Sequence, residues 1–194
     1  MDSLELESSE AAYRADFVFY GMAALGLGSA VVIGAPGPAW AVLAVALGGY
    51  FAWTILEYAL HRFVLHRVQP FRAMHEQHHL RPHARIGTPT VVSAPLFALL
   101  VLAPAWWLVG PWWACALTLG VVLGYIAYAI THHVCHTGGP ADSAWSQRHK
   151  RWHGRHHRSG KPGCYGVSHR LWDHIFGTNL EPSRTQGTVY WHLD

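Results

Sequence analysis

The sequence predicts an all-α integral membrane protein with four transmembrane helices and a histidine-rich di-metal site at one end of them. Three observations predict it. Apolar runs of membrane length come in two pairs. Those runs lie in charge deserts, with no Lys or Arg between Arg14 and Arg62 and none between Arg85 and Arg148. Histidine occurs 16 times in 194 residues and gathers in clusters of one spacing beside the runs. Only 13% of the chain is charged, against about 25% in a soluble domain, and the length suits one domain.

In chain order, residues 1–16 read as an N-terminal cytoplasmic tail. Met1 to Glu10 is acidic, whereas a cleaved secretory signal opens with positive charge. The membrane domain is expected over 17–180. Its spans are expected at about 17–35, 40–60, 91–109 and 112–130, each near the ~20 apolar residues that cross a hydrocarbon core. Pro36, Gly37 and Pro38 turn the first hairpin, and Gly110 with Pro111 turns the second. Pro95 and Pro104 fall in the third span, where a kink is expected and neighbouring helices re-satisfy the freed carbonyls. Residues 181–194 read as a C-terminal tail. Neither hairpin turn carries charge, while every Lys and Arg lies in the tails or the segments following the hairpins. By the positive-inside rule both termini and all the histidine clusters are cytoplasmic. Trp40, Trp106, Trp107, Trp112 and Trp113 sit near the outer turns, as an interfacial aromatic belt does.

The formal net charge of +3 is modest. No nucleic-acid module accompanies the basic residues, so no nucleic-acid partner is expected. Arg148, Lys150, Arg151, Arg155 and Arg158 suit anionic headgroups at a membrane surface or a solvated face. Cys115, Cys135 and Cys164 are an odd count without C-x-x-C, hence no disulfide framework. Cys135, between His133 and His136, is read as a small buried residue beside the site.

Chemistry concentrates in ten imidazoles. His75, His78 and His79 read H-x-x-H-H, and His153, His156 and His157 repeat it. His132 and His136 form an i, i+4 pair, while His61 and His66 are five apart. Residues three and four apart share a helix face, so each triplet aims at one point. The five-residue spacing predicts bending, or a different ion for each ring. Each half of the chain is a hairpin, a close pair and then H-x-x-H-H, a loose repeat in which two halves build one site. Neutral imidazole is the commonest protein metal ligand. A structural zinc needs four ligands, so ten imply two ions. Glu57 lies one turn before His61 at a membrane end. An intramembrane carboxylate needs a partner, and a bond to a ligand imidazole suits it. Asp173 is expected either to orient an imidazole, or to cap a helix or face water. His83, His133, His149, His169, His174 and His192 lie outside the pattern and are expected near the site or on the surface.

His75-Glu76-Gln77-His78-His79 also matches H-E-x-x-H, in which the Glu of a zinc protease is the general base. A membrane zinc metalloprotease is therefore an alternative. It leaves the other clusters idle, and the second triplet has Gly154 where the first has Glu76.

From Glu57 to Leu180 the chain resembles the fatty-acid hydroxylase/sterol desaturase superfamily. The carriers are Glu57-Tyr58-Ala59-Leu60-His61-Arg62-Phe63-Val64-Leu65-His66, the two H-x-x-H-H triplets, Gly124-Tyr125 through His132 and His136, Gly166-Val167-Ser168, and Leu171-Trp172-Asp173-His174-Ile175-Phe176-Gly177-Thr178. The opening E-Y-x-x-H-R-F-x-x-H is most similar to the fatty-acid (ceramide) 2-hydroxylases. The resemblance implies four transmembrane helices with a cytosolic helical cap, and His61, His66, His75, His78, His79, His132, His136, His153, His156 and His157 as ligands. It implies two iron ions, with zinc possible in a purified form, and dioxygen as co-substrate. It implies a lipid substrate in the bilayer and electrons from a separate donor protein, since no haem-binding domain precedes the first span. The reaction implied is insertion of one oxygen atom into an unactivated C–H bond of a lipid, the other leaving as water. A sterol or carotenoid desaturase or hydroxylase is the alternative within the superfamily.

Overall fold

The computed structural model describes residues 7–34, 37–137, 143–158 and 162–180. They form eight α-helices and two π-helical turns, with no strand beyond an isolated bridge between Glu7 and Ile86. The expected C-terminal tail at 181–194, His192, the first six residues and Pro36 lie outside the described residues.

Four helices are long and apolar enough to cross a membrane. Helix α1 (Glu10–Gly34) starts earlier than the span expected at 17. Helix α2 (Ala39–Ala59) continues through a π-helical segment, Leu60–Leu65. Helix α3 (Phe71–Leu80) carries the first triplet. The third crossing is composite: α4 (Thr90–Phe97), a π-helical turn (Ala98–Leu102) and α5 (Ala103–Val109). Pro95 is inside α4 and Pro104 at the start of α5. Between them the ladder resets its register, which re-satisfies carbonyls a proline leaves free.

Gly110, with φ of 82°, separates α5 from α6 (Pro111–His136). The positive φ is accessible to glycine at little cost. Helix α6 is the central one: half of its apolar window is buried, against 11–17% for the other three. It packs closely on α2 because two glycines face the crossing. A Cβ on Gly49 would collide with the Leu117 carbonyl, and one on Gly120 with the Ala46 carbonyl. Small residues at such a crossing let backbones approach where lipid provides no hydrophobic drive. Large side chains point outward instead: Val32, Ile33, Trp107 and Leu108 are each at least 75% exposed. Apolar exposure on that scale suits a lipid surface.

Helix α7 (Ala144–Arg158) carries the second triplet. Short α8 (Leu171–Ile175) returns to α2. There Tyr58, Tyr165 and Trp172 form a buried cluster, and Trp172 Nε1 donates to Thr54 Oγ1 at 3.0 Å. Phe176 stacks on Tyr58. Thr54, Glu57, Tyr58 and His61 share a buried face of α2, so the docking that seats α8 also fixes the first histidine.

Candidate metal centre

The imidazoles collect into two groups. In the first, ring nitrogens of His61, His66, His75, His79 and His156 lie within 4.8 Å of one another. In the second, those of His78, His132, His136 and His153 do the same. His157 joins the second group's edge, with its Nε2 at 3.1 Å from that of His153 and its ring stacked on His79. The groups adjoin, since the ring centroids of His78 and His79 are 6.1 Å apart.

The loose repeat acquires a physical meaning here. His61, His66, His75 and His79 come from the first half of the chain, and His132, His136, His153 and His157 from the second. The middle histidine of each triplet crosses over: His156 enters the first group and His78 the second. Neither half assembles its own set.

Of the two outcomes the five-residue spacing left open, a local distortion of the helix is the one found between His61 and His66. A π-helical turn bonds i to i+5, so residues five apart fall on one face. Their rings stack at 5.2 Å, and both enter the first group. His132 and His136 lie in the last turns of α6, beyond the apolar stretch expected at 112–130.

The donor set fits transition-metal ions. Nε2 of His75 is 3.0 Å from that of His61, 3.1 Å from that of His66 and 3.0 Å from that of His79. In the second group Nε2 of His136 is 2.8 Å from that of His153, and Nε2 of His132 is 3.1 Å from that of His78. Neighbouring nitrogens around one ion, each held at about 2.1 Å, are spaced about 3 Å apart. Tautomers agree. His61 Nδ1 lies 2.6 Å from the Tyr165 carbonyl, and His156 Nδ1 lies 2.9 Å from the Gly163 carbonyl. A carbonyl only accepts, so Nδ1 carries the proton and the Nε2 lone pair faces inward. Several lone pairs converging without a cation would repel.

Burial keeps these rings neutral. It pushes His78 down to about 3, helped by His136 and His79, and His79 down to about 4, helped by His66. Burial first, then neighbouring imidazoles, also lowers His75, His153 and His157. His156 is lowered by burial and by His61, against the pull of the Gly163 carbonyl. The native site therefore holds fewer protons than the unfolded chain. Its stability is fully present above the ordinary imidazole value of 6.5 and is lost as pH falls toward about 4. Protons also compete with metal for the same nitrogens. Dialysis at stepped pH should hold metal above about 7 and lose most of it by about 4. Metal content unchanged at pH 4 would remove the imidazoles as ligands.

The two carboxylates act one step back. The expected bond from Glu57 to an imidazole is not made among the described residues. Glu57 instead accepts from Val167 N at 2.7 Å, Ser168 N at 2.9 Å and Ser168 Oγ at 2.5 Å. Asp173 is fully buried and makes no hydrogen bond to an imidazole among the described residues. It accepts from Tyr165 N at 2.9 Å, Gly166 N at 2.7 Å and Thr178 Oγ1 at 2.6 Å. Both carboxylates thus hold the 163–168 loop, whose carbonyls orient His61 and His156. Tyr165 and Gly163 act through backbone oxygen, so their side chains carry no signal a sequence reading could have used.

His83, His133, His149, His169 and His174 enter neither group among the described residues. His133 Nδ1 meets the Tyr13 hydroxyl, and His174 meets Asn179. Cys135 is buried and outside both groups. Glu76 is exposed and accepts from Arg72 Nε at 2.7 Å. The side chain that the protease alternative needs as a base is therefore a surface ion-pair partner.

A cavity of about 520 Å³ reaches the groups, with His61, His75, His78 and His132 in its wall. Leu65, Phe71, Met74 and Phe17 make much of the rest apolar.

Fold and site together define a helical protein with four membrane-length helices and paired imidazole groups at their end. The chain belongs to the fatty acid hydroxylase family, whose sequence pattern matches residues 45–178. It is 33% identical over 141 residues to a dihydroceramide fatty acyl 2-hydroxylase of Arabidopsis thaliana, covering 67% of this chain and 58% of that one. It is 31% identical over 153 residues to the fatty acid 2-hydroxylase of Homo sapiens, covering 70% of this chain and 39% of that one. The chain thus spans between about two-fifths and three-fifths of these two relatives. The solved structure of scs7p, in which only the hydroxylase domain is visible, shares the fold with a TM-score of 0.73 at 24% identity. That match covers 91% of this chain and 69% of the other.

Proposed function

We propose that the chain is a membrane di-iron hydroxylase that inserts one oxygen atom from dioxygen into a C–H bond of a lipid acyl chain. The observation that carries this reading is the pair of imidazole groups, with lone pairs turned inward, in the wall of a largely apolar cavity. His61, His66, His75, His79 and His156 hold one ion. His78, His132, His136, His153 and His157 hold the other. Two iron ions, when bound, supply the activation of dioxygen, with two electrons from a separate donor protein.

The chain's own residues do the rest. The carbonyls of Tyr165 and Gly163 keep Nε2 of His61 and His156 free to ligate. Glu57 and Asp173 fix the loop bearing those carbonyls. Leu65, Phe71 and Met74 exclude water and take up an acyl chain. No side chain is required as an acid or base. The distribution of Lys and Arg favours a multi-pass arrangement with both termini and the site in the cytoplasm.

Lipid profiling of cells with and without the protein tests the reading. One lipid class should gain the mass of one oxygen atom, and the gain should disappear without dioxygen. Loss of two hydrogens instead would mark a desaturase. Peptide cleavage with one zinc per chain would overturn the oxygenase account.

A further inference from the structure

One carboxylate in the cavity wall is used neither by the imidazole groups nor by the 163–168 loop. Asp16 lies on α1, where Oδ1 accepts from Thr90 Oγ1 at 2.5 Å and Oδ2 accepts from the Tyr125 hydroxyl at 3.1 Å. A carboxylate has about four acceptor positions, so about two remain. Asp16 lines the same cavity as His61, His75, His78 and His132. Among the described residues lining that cavity there is no Lys or Arg.

We infer that Asp16 is a specificity-determining residue that accepts a hydrogen bond from a hydroxyl of the lipid headgroup and turns away free fatty acids. The inference rests on the lipid-hydroxylase reading and sharpens it. The relatives' names divide between fatty acid and dihydroceramide fatty acyl, and the wall chemistry separates these two classes. A free fatty acid brings a second anion beside a carboxylate, and the described wall of this cavity offers it no basic side chain. Arg14 and Arg85 line the adjoining cavity, which shares Tyr13, Phe17, His78 and His132 with this one. Like charges so placed select strongly against the wrong ligand. An N-acylated amino alcohol is neutral and brings the donors Asp16 lacks.

Distance supports a hydroxyl as the donor. Tyr125, Tyr128 and His132 follow one face of α6, with ring centroids 6.1 Å and 5.7 Å apart in turn. Tyr125 precedes His132 by about two helical turns, roughly 10 Å along the axis. A carbon reacting near His132 therefore needs a donor several bonds away. A hydroxyl on the amino-alcohol portion reaches that far, and the amide N–H next to the acyl carbonyl does not.

The test uses the full chain and three probes of one acyl length: N-hexadecanoyl sphinganine, its O-methylated ether and free hexadecanoic acid. Binding is read by native mass spectrometry of the detergent-purified protein, and product by lipid mass spectrometry of membranes that express it. Wild-type protein should prefer the free alcohol over both other probes by roughly tenfold or more. Asp16→Ala and Asp16→Asn should bring the ratio toward one while metal content stays at the wild-type level. A merely structural Asp16, tying α1 to α4 and α6, would leave the ratio unchanged. Equal binding of alcohol and ether by the wild type, or wild-type ratios in both variants, overturns the inference. If Asp16→Ala fails to fold, the ether comparison on wild-type protein still decides. Preferential binding without oxygenated product from any lipid supports the Asp16 site and counts against the hydroxylase reading instead.

Discussion

Alanine at His75 is expected to abolish product formation and release one of two metal equivalents. The Nε2 of His75 lies 3.0–3.1 Å from those of His61, His66 and His79, the densest set of contacts in the first group. Removing it deprives that ion of one ligand and leaves a void between three lone pairs. Residues that only orient a ligand typically cost 10–100-fold, so loss of a ligand should cost at least roughly 100-fold in activity. The second group draws on His78, His132, His136 and His153 and should keep the ion proposed for it. Elemental analysis of purified protein should read about one metal per chain in place of about two. His174→Ala, outside both groups and bonded to Asn179, should leave the ratio and the activity unchanged. Two metals and full activity after His75→Ala would remove the first group from the centre.

The second large effect is expected at a residue that touches no metal. Asp173→Ala leaves Tyr165 N, Gly166 N and Thr178 Oγ1 without their buried acceptor. Burial pushes the Asp173 carboxyl up, and bonds from Thr178, Gly166 and Tyr165 draw it back. Orphaning donors of a buried charged acceptor costs about 3–5 kcal/mol. The damage should travel, because Tyr165 also offers its carbonyl to His61 Nδ1. Metal affinity should fall roughly 10–100-fold, together with a lower melting temperature. Asp173→Asn keeps one acceptor oxygen and should fall between. Thermal unfolding with metal titration checks both. A destabilised protein with wild-type metal affinity would mean that the loop does not orient His61.

Different parts of this molecule were legible to different degrees. Hydropathy marked four membrane-length helices, because apolar length is a local property. The helices run past those apolar stretches: α1 extends back to Glu10 and α6 forward to His136, since polar residues continue a helix that packing already holds. The ten clustered histidines stood out by repetition, and nine fall within the two groups while His157 adjoins them. Glu57 was singled out from its depth in an apolar run, but its partner was not. Its partners are the backbone N–H groups of Val167 and Ser168 and the Ser168 hydroxyl, some 110 residues away, and no local periodicity links positions that distant.

Spacing along the chain determined which imidazoles share a helix face, because a face is set within one or two turns. Only the tertiary structure decided how they are shared out. His78 and His79 are adjacent in sequence yet enter different groups, and His78 joins rings from α6 and α7. That exchange depends on how α3 and α7 lie across the ends of α2 and α6. It also depends on a π-helical turn that brings His61 and His66 to one side. Such relations arise from packing between distant segments, and no local periodicity encodes them.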